Sequence, residues 1–145
     1  MIDIHSKLPA QGVTIFSVMT AMAHRLNALN LSQGFPDFAA PPALLKALSQ
    51  ATLDGFNQYA PSDGLISLRE QLAHQFLKRD QLVIDPITEI TITPGATIGI
   101  FGTIQALIHA GDEVIIFDPC YDSYGPSVQL VGAKAIHIPL VAPEF

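Results

Sequence analysis

The sequence predicts an α/β fold built around parallel strands, and three observations lead to this prediction. Residues 91–124, TITPGATIGIFGTIQALIHAGDEVIIFDPCYDSY, read as a strand end, a tight turn, an apolar helix, a second turn and a second strand. That order is a β-α-β unit, which joins parallel strands. The apolar run at 113–117 is typical of a strand buried on both faces. A further extended run at 134–138 adds a strand to the same sheet.

Three helices are predicted in the first 85 residues. Apolar residues at helical spacing predict the first, across 13–28, and the third, which ends near Arg79. Pro41 and Pro42 begin the second, because a missing N–H costs nothing in the first helical turn. This second helix runs to about Leu53. The apolar positions of the first and third helices are Ile15, Val18, Met19, Met22, Leu26, Leu65, Leu68, Leu72 and Phe76.

The second half of the chain alternates strands and helices. A strand is predicted at 89–93, followed by helices at 97–110 and 124–131 on either side of the 113–117 strand. Gly111 is predicted to cap the first of these helices. Three strands joined by crossovers form an incomplete doubly wound sheet with an unpaired edge, and such edges are normally covered. We therefore expect the chain to be the N-terminal part of a longer protein or a truncated product.

The turn between the first of these strands and its helix predicts a ligand class. Its Gly-Ala-Thr sequence leaves backbone N–H groups at a helix start, where anions bind. The anions found at such positions are most often phosphates. A phosphorylated ligand or cofactor is therefore expected beside the C-terminal ends of the parallel strands.

The composition excludes several function classes. The net charge is −6 and no run of Lys or Arg occurs, so neither nucleic acid nor an anionic membrane surface is an expected partner. No segment approaches the ~18 apolar residues of a membrane span. The N-terminus does not resemble a secretion signal, and a cytoplasmic location is expected. Only 14% of residues are charged, against roughly 25% in typical soluble domains, which indicates apolar surface that packs against something else.

Residues that often carry chemistry have plain interpretations here. Cys120 is the single cysteine, so an internal disulfide is impossible and we expect a packing residue near a loop. Asp118 and Asp122 lie four apart across Pro119, which favours turn or cap roles over acid–base chemistry. The five histidines show no metal-ligand spacing, so no metal site is predicted.

Three motifs in series resemble the N-terminal part of class I aminotransferases, which are pyridoxal-phosphate (PLP) enzymes of fold type I. The motifs are NLSQGFPDF at 30–38, NQYAPSDG with LRE within 57–70, and TPGAT followed by GDEVIIFDPCYDSY. FPDF and DPCYDSY resemble most the methionine, glutamine and kynurenine aminotransferase group. The resemblance covers nearly the whole chain. It implies an incomplete PLP-transferase fold, with an N-terminal arm and small-domain elements at 1–85 and the start of the large PLP-binding domain at 86–145.

The resemblance also implies a role for individual residues. Tyr121 would stack on the pyridine ring of the cofactor, which suits a flat electron-poor heterocycle. Gly34 would offer its N–H to the substrate carboxylate, because glycine permits close approach. Tyr59 would reach across a homodimer interface and donate its hydroxyl to the PLP phosphate of the partner subunit. The residues that would form the phosphate cup are Gly95, Ala96 and Thr97.

No catalytic residue is assigned. PLP chemistry needs a lysine that binds the cofactor covalently and moves a proton, and in the family this lysine comes later than position 145. None of the four lysines present lies in a matching motif, so the 145-residue chain alone is expected to be inactive. These lysines are Lys7, Lys46, Lys78 and Lys134.

The leading interpretation is an aminotransferase that moves the amino group of a neutral, methionine-like or aromatic amino acid to a 2-oxo acid. A carbon–sulfur β-lyase of the same fold and a non-catalytic fragment remain open. A dinucleotide-binding domain is a third alternative, because Asp118 follows Gly95 by 23 residues, near the ~20 expected for a ribose-binding acid. Its glycine spacing departs from Gly-x-Gly-x-x-Gly, and Pro119 directly after Asp118 is a further mismatch.

Overall fold

The computed structural model describes residues 5–8 and 11–143, and it combines five helices with two parallel strands in these ranges as an α/β fold. The chain divides into two compact units. The helical unit is Phe35–Pro94, and the sheet unit contains the described residues up to Gly34 together with those from Gly95 onward. The domain boundary near residue 85 stays a prediction. The elements are α1 (Ile15–Leu26), α2 (Pro42–Leu53), α3 (Ile66–Asp80), α4 (Ala96–Leu107), β1 (Glu113–Asp118), α5 (Tyr124–Leu130) and β2 (Lys134–Pro139).

Local chemistry sets the bounds of the first three helices, which confirm the sequence prediction. Thr14 begins α1, because its side-chain oxygen accepts a hydrogen bond from the Ser17 N–H at 3.3 Å. Asn27 ends α1 in the left-handed conformation, with a φ of 49°. Helix α2 begins with Pro42 as its first residue. Gln81 ends α3 in the left-handed conformation, with a φ of 58°.

The two strands are parallel neighbours, and α5 crosses between them. Their register runs from Glu113 opposite Lys134 to Asp118 opposite Pro139. These strands confirm the predictions for 113–117 and 134–138. Ile116 of β1 is one of two buried apolar side chains among the described residues, and Val128 of α5 is the other.

Burial of β1 on both faces was predicted and is wrong for the described residues. Ile116 is 5% exposed, whereas Ile115 and Phe117 are 61% and 56% exposed. Successive side chains of a strand point to opposite faces. Helix α5 packs against β1, so one face is covered while the face of Ile115 and Phe117 stays accessible.

The predicted strand at 89–93 is not a strand. The Glu89 N–H donates to the Asp85 carbonyl at 3.0 Å, and the Ile92 N–H donates to the Asp63 carbonyl at 3.0 Å. Both N–H groups therefore donate to carbonyls of a local turn and a loop. In a strand they would donate to the carbonyls of a neighbouring strand. In the part of the chain that the structure describes, the sheet has two strands rather than the three expected.

The predicted cap at Gly111 is also wrong. Helix α4 ends at Leu107, and Ile108 follows it with extended backbone. The Asp112 carboxylate accepts the His109 N–H at 2.8 Å and so holds a turn directly after the helix. Gly111 lies in that turn with a φ of 91°, and its N–H donates to the Gly132 carbonyl at 3.0 Å.

Replacing Lys134 by alanine is expected to change the free energy of unfolding by less than ~1 kcal/mol. The Lys134 Nζ lies 3.0 Å from the Glu113 Oε1 at the start of the β1–β2 register, but both side chains are more than 60% exposed. Water and salt screen such a pair. Urea unfolding of the two proteins at low and high salt measures the effect. A large loss that persists at high salt would contradict this interpretation.

Candidate functional site

The N-terminus of α4 is open to an anion. Gly95 is its N-cap residue, with a φ of 91°, and no atom lies within 4 Å of the point where a Cβ would be. The first turn of α4 carries no acidic side chain. Because the first N–H groups of a helix have no acceptor within the helix, they point outward with partial positive charge. Ala96 and Thr97 supply two of these groups.

The carboxyl end of β1 is held by a side-chain pair between the strands. The Asp118 Oδ2 lies 2.8 Å from the His137 Nδ1, and the Asp118 carbonyl accepts the Leu140 N–H at 2.7 Å. From the sequence, Asp118 was predicted to hold a turn or cap, and no role was predicted for His137. The two residues are 19 apart, so only the parallel register of β1 and β2 could have indicated the pair.

Tyr121 follows this anchored strand end and packs against two aromatic rings. Its ring centroid lies 5.9 Å from that of Tyr124 at an interplanar angle of 67°, and 6.5 Å from that of Phe16 at 37°. Tyr121 is 46% exposed, so part of the ring remains accessible. Edge and tilted contacts orient the ring, which gives the accessible part a defined direction.

Tyr121 and α4 both line a cavity of about 570 Å³. Ile100 and Ile104 of α4, together with residues of β1, complete an apolar lining. Gly34, Gly95, Ala96 and Thr97 do not line this cavity. The structure therefore joins Tyr121 to the middle of α4, and the turn at 95–97, where the phosphate cup was predicted, is a separate feature at the start of the same helix.

Cys120 was expected to be a packing residue, and the structure shows it exposed. It follows Pro119 beyond the end of β1 and lines the cavity that Ile100 and Ile104 of α4 also line. Desolvation raises the pKa of its thiol, and the hydrogen bond to Asp118 and the charges of Asp118 and Asp122 raise it further. A raised pKa leaves less thiolate at neutral pH, so Cys120 is not an activated nucleophile.

Cys120 is expected to react with a disulfide reagent more slowly than free cysteine at pH 8, despite its exposure. The pKa is raised, so the rate-against-pH curve lies at higher pH. Asp118→Asn and Asp122→Asn remove neighbouring negative charge and should move the curve back toward lower pH, Asp118→Asn more strongly. Asp37→Asn is the matched control. A midpoint at or below that of free cysteine would contradict the assignment.

Gly34 and Tyr59 lie in different units. Gly34 is exposed, and no atom lies within 4 Å of the point where its Cβ would be. Tyr59 is fully exposed on the loop between α2 and α3 of the helical unit. An exposed, unpacked tyrosine is available to a ligand or to another chain. The functional roles predicted for both residues stay predictions.

Residues 5–8 and 11–143 contain neither a candidate metal site nor a candidate membrane span. Within them, no group of three or more His, Cys, Asp or Glu side chains lies close enough to hold a metal ion. No helix in these ranges has the length and apolar character needed to cross a membrane.

Comparison with known proteins identifies the family of this chain. The sequence model of the family described as aminotransferase class I and II matches residues 27–144. The chain is 45% identical over 140 residues to the methionine aminotransferase of Escherichia coli (97% of this chain, 36% of the relative). It is 43% identical over 122 residues to the human kynurenine–oxoglutarate transaminase 3 (83% of this chain, 27% of the relative). The chain belongs to the class I and II aminotransferase family.

A solved structure shows the fold. A crystal structure of an Escherichia coli protein with methionine aminotransferase function superposes with a TM-score of 0.93 at 43% identity. The match covers 99% of this chain and 37% of that one. The chain thus has part of the fold of the fold type I aminotransferases, as predicted. The chain spans about a third of the length of the Escherichia coli relative that it matches.

Aminotransferases of class I use PLP, and the described residues fit that group. The α4 N-terminus has a glycine cap with open space around it and no acidic side chain in its first turn. These features favour a phosphate monoester, because it is an anion that approaches the backbone closely. The accessible part of the Tyr121 ring suits a flat aromatic group.

Proposed function

We propose that this chain is part of an aminotransferase that moves the amino group of a neutral, methionine-like or aromatic amino acid to a 2-oxo acid. The relatives named for methionine and kynurenine transamination support this substrate class. The observation that carries the proposal is the open N-terminus of α4, which fits the phosphate of the cofactor.

We propose specific contacts for the cofactor. The N–H groups of the turn formed by Gly95, Ala96 and Thr97 hold the phosphate, and Tyr121 lies against the pyridine ring. When bound, PLP withdraws electrons from the carbon that carries the substrate amino group. The chain's own part in this chemistry is to bind and orient, because hydrogen bonds and packing fix the position of the reacting carbon.

Two further contacts are proposed for the substrate and for assembly. Gly34 donates its N–H to the substrate carboxylate. Tyr59 donates its hydroxyl to a phosphate bound in the partner subunit of a homodimer, and its full exposure supports this role. The covalent lysine is proposed to lie in the part of the relatives that the match does not span. A cytoplasmic location is proposed as well.

Product analysis of the enzyme that contains this chain tests the proposed reaction. With methionine or kynurenine as donor and a 2-oxo acid as acceptor, we expect a new amino acid and the 2-oxo acid of the donor in equal amounts. Pyruvate and free thiol from a sulfur-containing substrate would instead identify a carbon–sulfur lyase. The purified 145-residue chain is expected to show no transamination above that of free PLP, and activity above this background would contradict the proposal.

A further inference from the structure

We propose that Arg69 is a positioning residue, which fixes the loop that carries Tyr59. The inference rests on the proposed function for the role of Tyr59, but the contacts of Arg69 are independent of it. From the sequence, Arg69 was noted only as part of the LRE motif, and no role was predicted for it. In the structure, its guanidinium joins α3 to two separate segments of the helical unit.

Arg69 is buried, which is unusual for an arginine and requires partners. The Arg69 side chain is 7% exposed, whereas the Arg79 side chain on the same helix is 73% exposed. The Arg69 Nη2 lies 2.8 Å from the Asp63 Oδ2, in the loop between α2 and α3. Arg69 therefore holds the loop that carries Tyr59 through a close ion pair.

The other terminal nitrogen of Arg69 binds a second segment. Its Nη1 donates to the carbonyls of Pro86 and Ile87, at 3.1 and 3.3 Å. These carbonyls belong to a turn that Asp85 and Glu89 hold, since the Ile87 N–H donates to the Asp85 Oδ1 at 2.9 Å and the Asp85 N–H donates to the Glu89 Oε2 at 2.7 Å. A folded turn thus presents fixed acceptors to a buried cation.

The backbone of Asp63 is held as well. Its carbonyl accepts the Ile92 N–H at 3.0 Å, from the segment that follows the turn. Asp63 lies four residues after Tyr59 and three before the first residue of α3. Arg69 and Ile92 together therefore hold the end of the Tyr59 loop at both its side chain and its backbone. The planar guanidinium can serve two directions at once, which a lysine ammonium on a flexible stem does less well.

Hydrogen exchange of the 145-residue chain, measured by mass spectrometry without cofactor, tests this inference. Arg69→Met keeps apolar volume and removes the charge and the donors. We expect exchange in the 57–64 and 85–92 peptides to rise about tenfold or more. The reason is that the variant loses the ion pair to Asp63 and the charge-assisted hydrogen bonds to Pro86 and Ile87. Arg79→Met is the matched control on the same helix, and it should leave both peptides unchanged.

Asp63→Asn is the second variant, because Arg69→Met removes a buried residue and can unfold the whole unit. This variant keeps the bonds of Arg69 to Pro86 and Ile87. It should raise exchange in the 57–64 peptide several-fold while the α2 peptide keeps its wild-type rate. Unchanged exchange in the 57–64 peptide would overturn the inference. An equal rise throughout residues 35–94 would also overturn it, since that result identifies a general stabilising role.

A cofactor measurement separates this inference from the proposed function. In the enzyme that contains the chain, Asp63→Asn and Tyr59→Phe should both weaken PLP binding, and Arg79→Met should not. If Tyr59→Phe leaves the affinity unchanged while the exchange results hold, the proposed role of Tyr59 fails and the positioning of the loop by Arg69 stands. If Tyr59→Phe weakens binding and Asp63→Asn does not, the positioning role fails alone.

Discussion

Replacing Gly64 by alanine is expected to lower the free energy of unfolding of the helical unit by about 2–5 kcal/mol. Gly64 has a φ of 97°, and a Cβ at this position would overlap the Ile92 side chain. The left-handed conformation costs a non-glycine residue roughly 1–2 kcal/mol, and overpacking adds roughly 1–3 kcal/mol. Urea unfolding followed by circular dichroism measures the loss.

Gly55→Ala is the matched control for this prediction. Gly55 has nearly the same φ, 91°, and no atom lies within 4 Å of the point where its Cβ would be. It should therefore show the conformational cost alone, roughly 1–2 kcal/mol. Ile92→Ala in the Gly64→Ala background should recover part of the loss, because the overlap with the Ile92 Cγ1 disappears and only that with its Cβ remains. Equal losses at Gly64 and Gly55 would contradict the close packing of Gly64 on Ile92.

Thr97→Glu is expected to weaken PLP binding by about tenfold or more, because it places a carboxylate where the phosphate is proposed to bind. The same carboxylate lies in the first turn of α4, where it should stabilise the helix by roughly 0.3–1 kcal/mol. Lower affinity together with unchanged or higher stability is therefore the expected result. Loss of folding cannot produce that combination.

Gln105→Glu is the matched control for the phosphate prediction. It adds the same charge to α4, but near the other end of the helix. PLP affinity should stay close to that of the unmodified protein, while stability falls slightly because the helix C-terminus carries partial negative charge. If Gln105→Glu weakened binding as much as Thr97→Glu, a general effect of net charge would explain both results, and the assigned phosphate position would be wrong.

Local signals in the sequence predicted most of the fold. Helix α2 follows from Pro41 and Pro42, and α1 and α3 follow from apolar residues at helical spacing. The order of α4, β1, α5 and β2 follows from turn residues and apolar runs, because each of these signals lies within one element. The turn at Gly95, where we propose that the phosphate binds, was likewise visible as a glycine before a predicted helix.

Features that depend on contacts far apart in sequence were missed. The 89–93 segment has the alternation of a strand, yet Asp63 accepts its Ile92 N–H, and nothing near Ile92 in sequence indicates this. The same reason applies to the Asp118–His137 pair and to the burial of Arg69. Charged residues are expected at the surface, so only the folded structure shows that Arg69 links distant segments.

The most direct test of the central claim is an amide chemical-shift titration of the 145-residue chain with PLP. The account predicts that the largest shifts occur at Gly95, Ala96 and Thr97, that inorganic phosphate reproduces them, and that pyridoxal without its phosphate does not. Equal shifts with PLP and pyridoxal, or shifts centred away from the α4 N-terminus, would contradict the account. A single PLP adduct at one of the chain's four lysines, trapped by borohydride reduction, would contradict the proposed location of the covalent lysine.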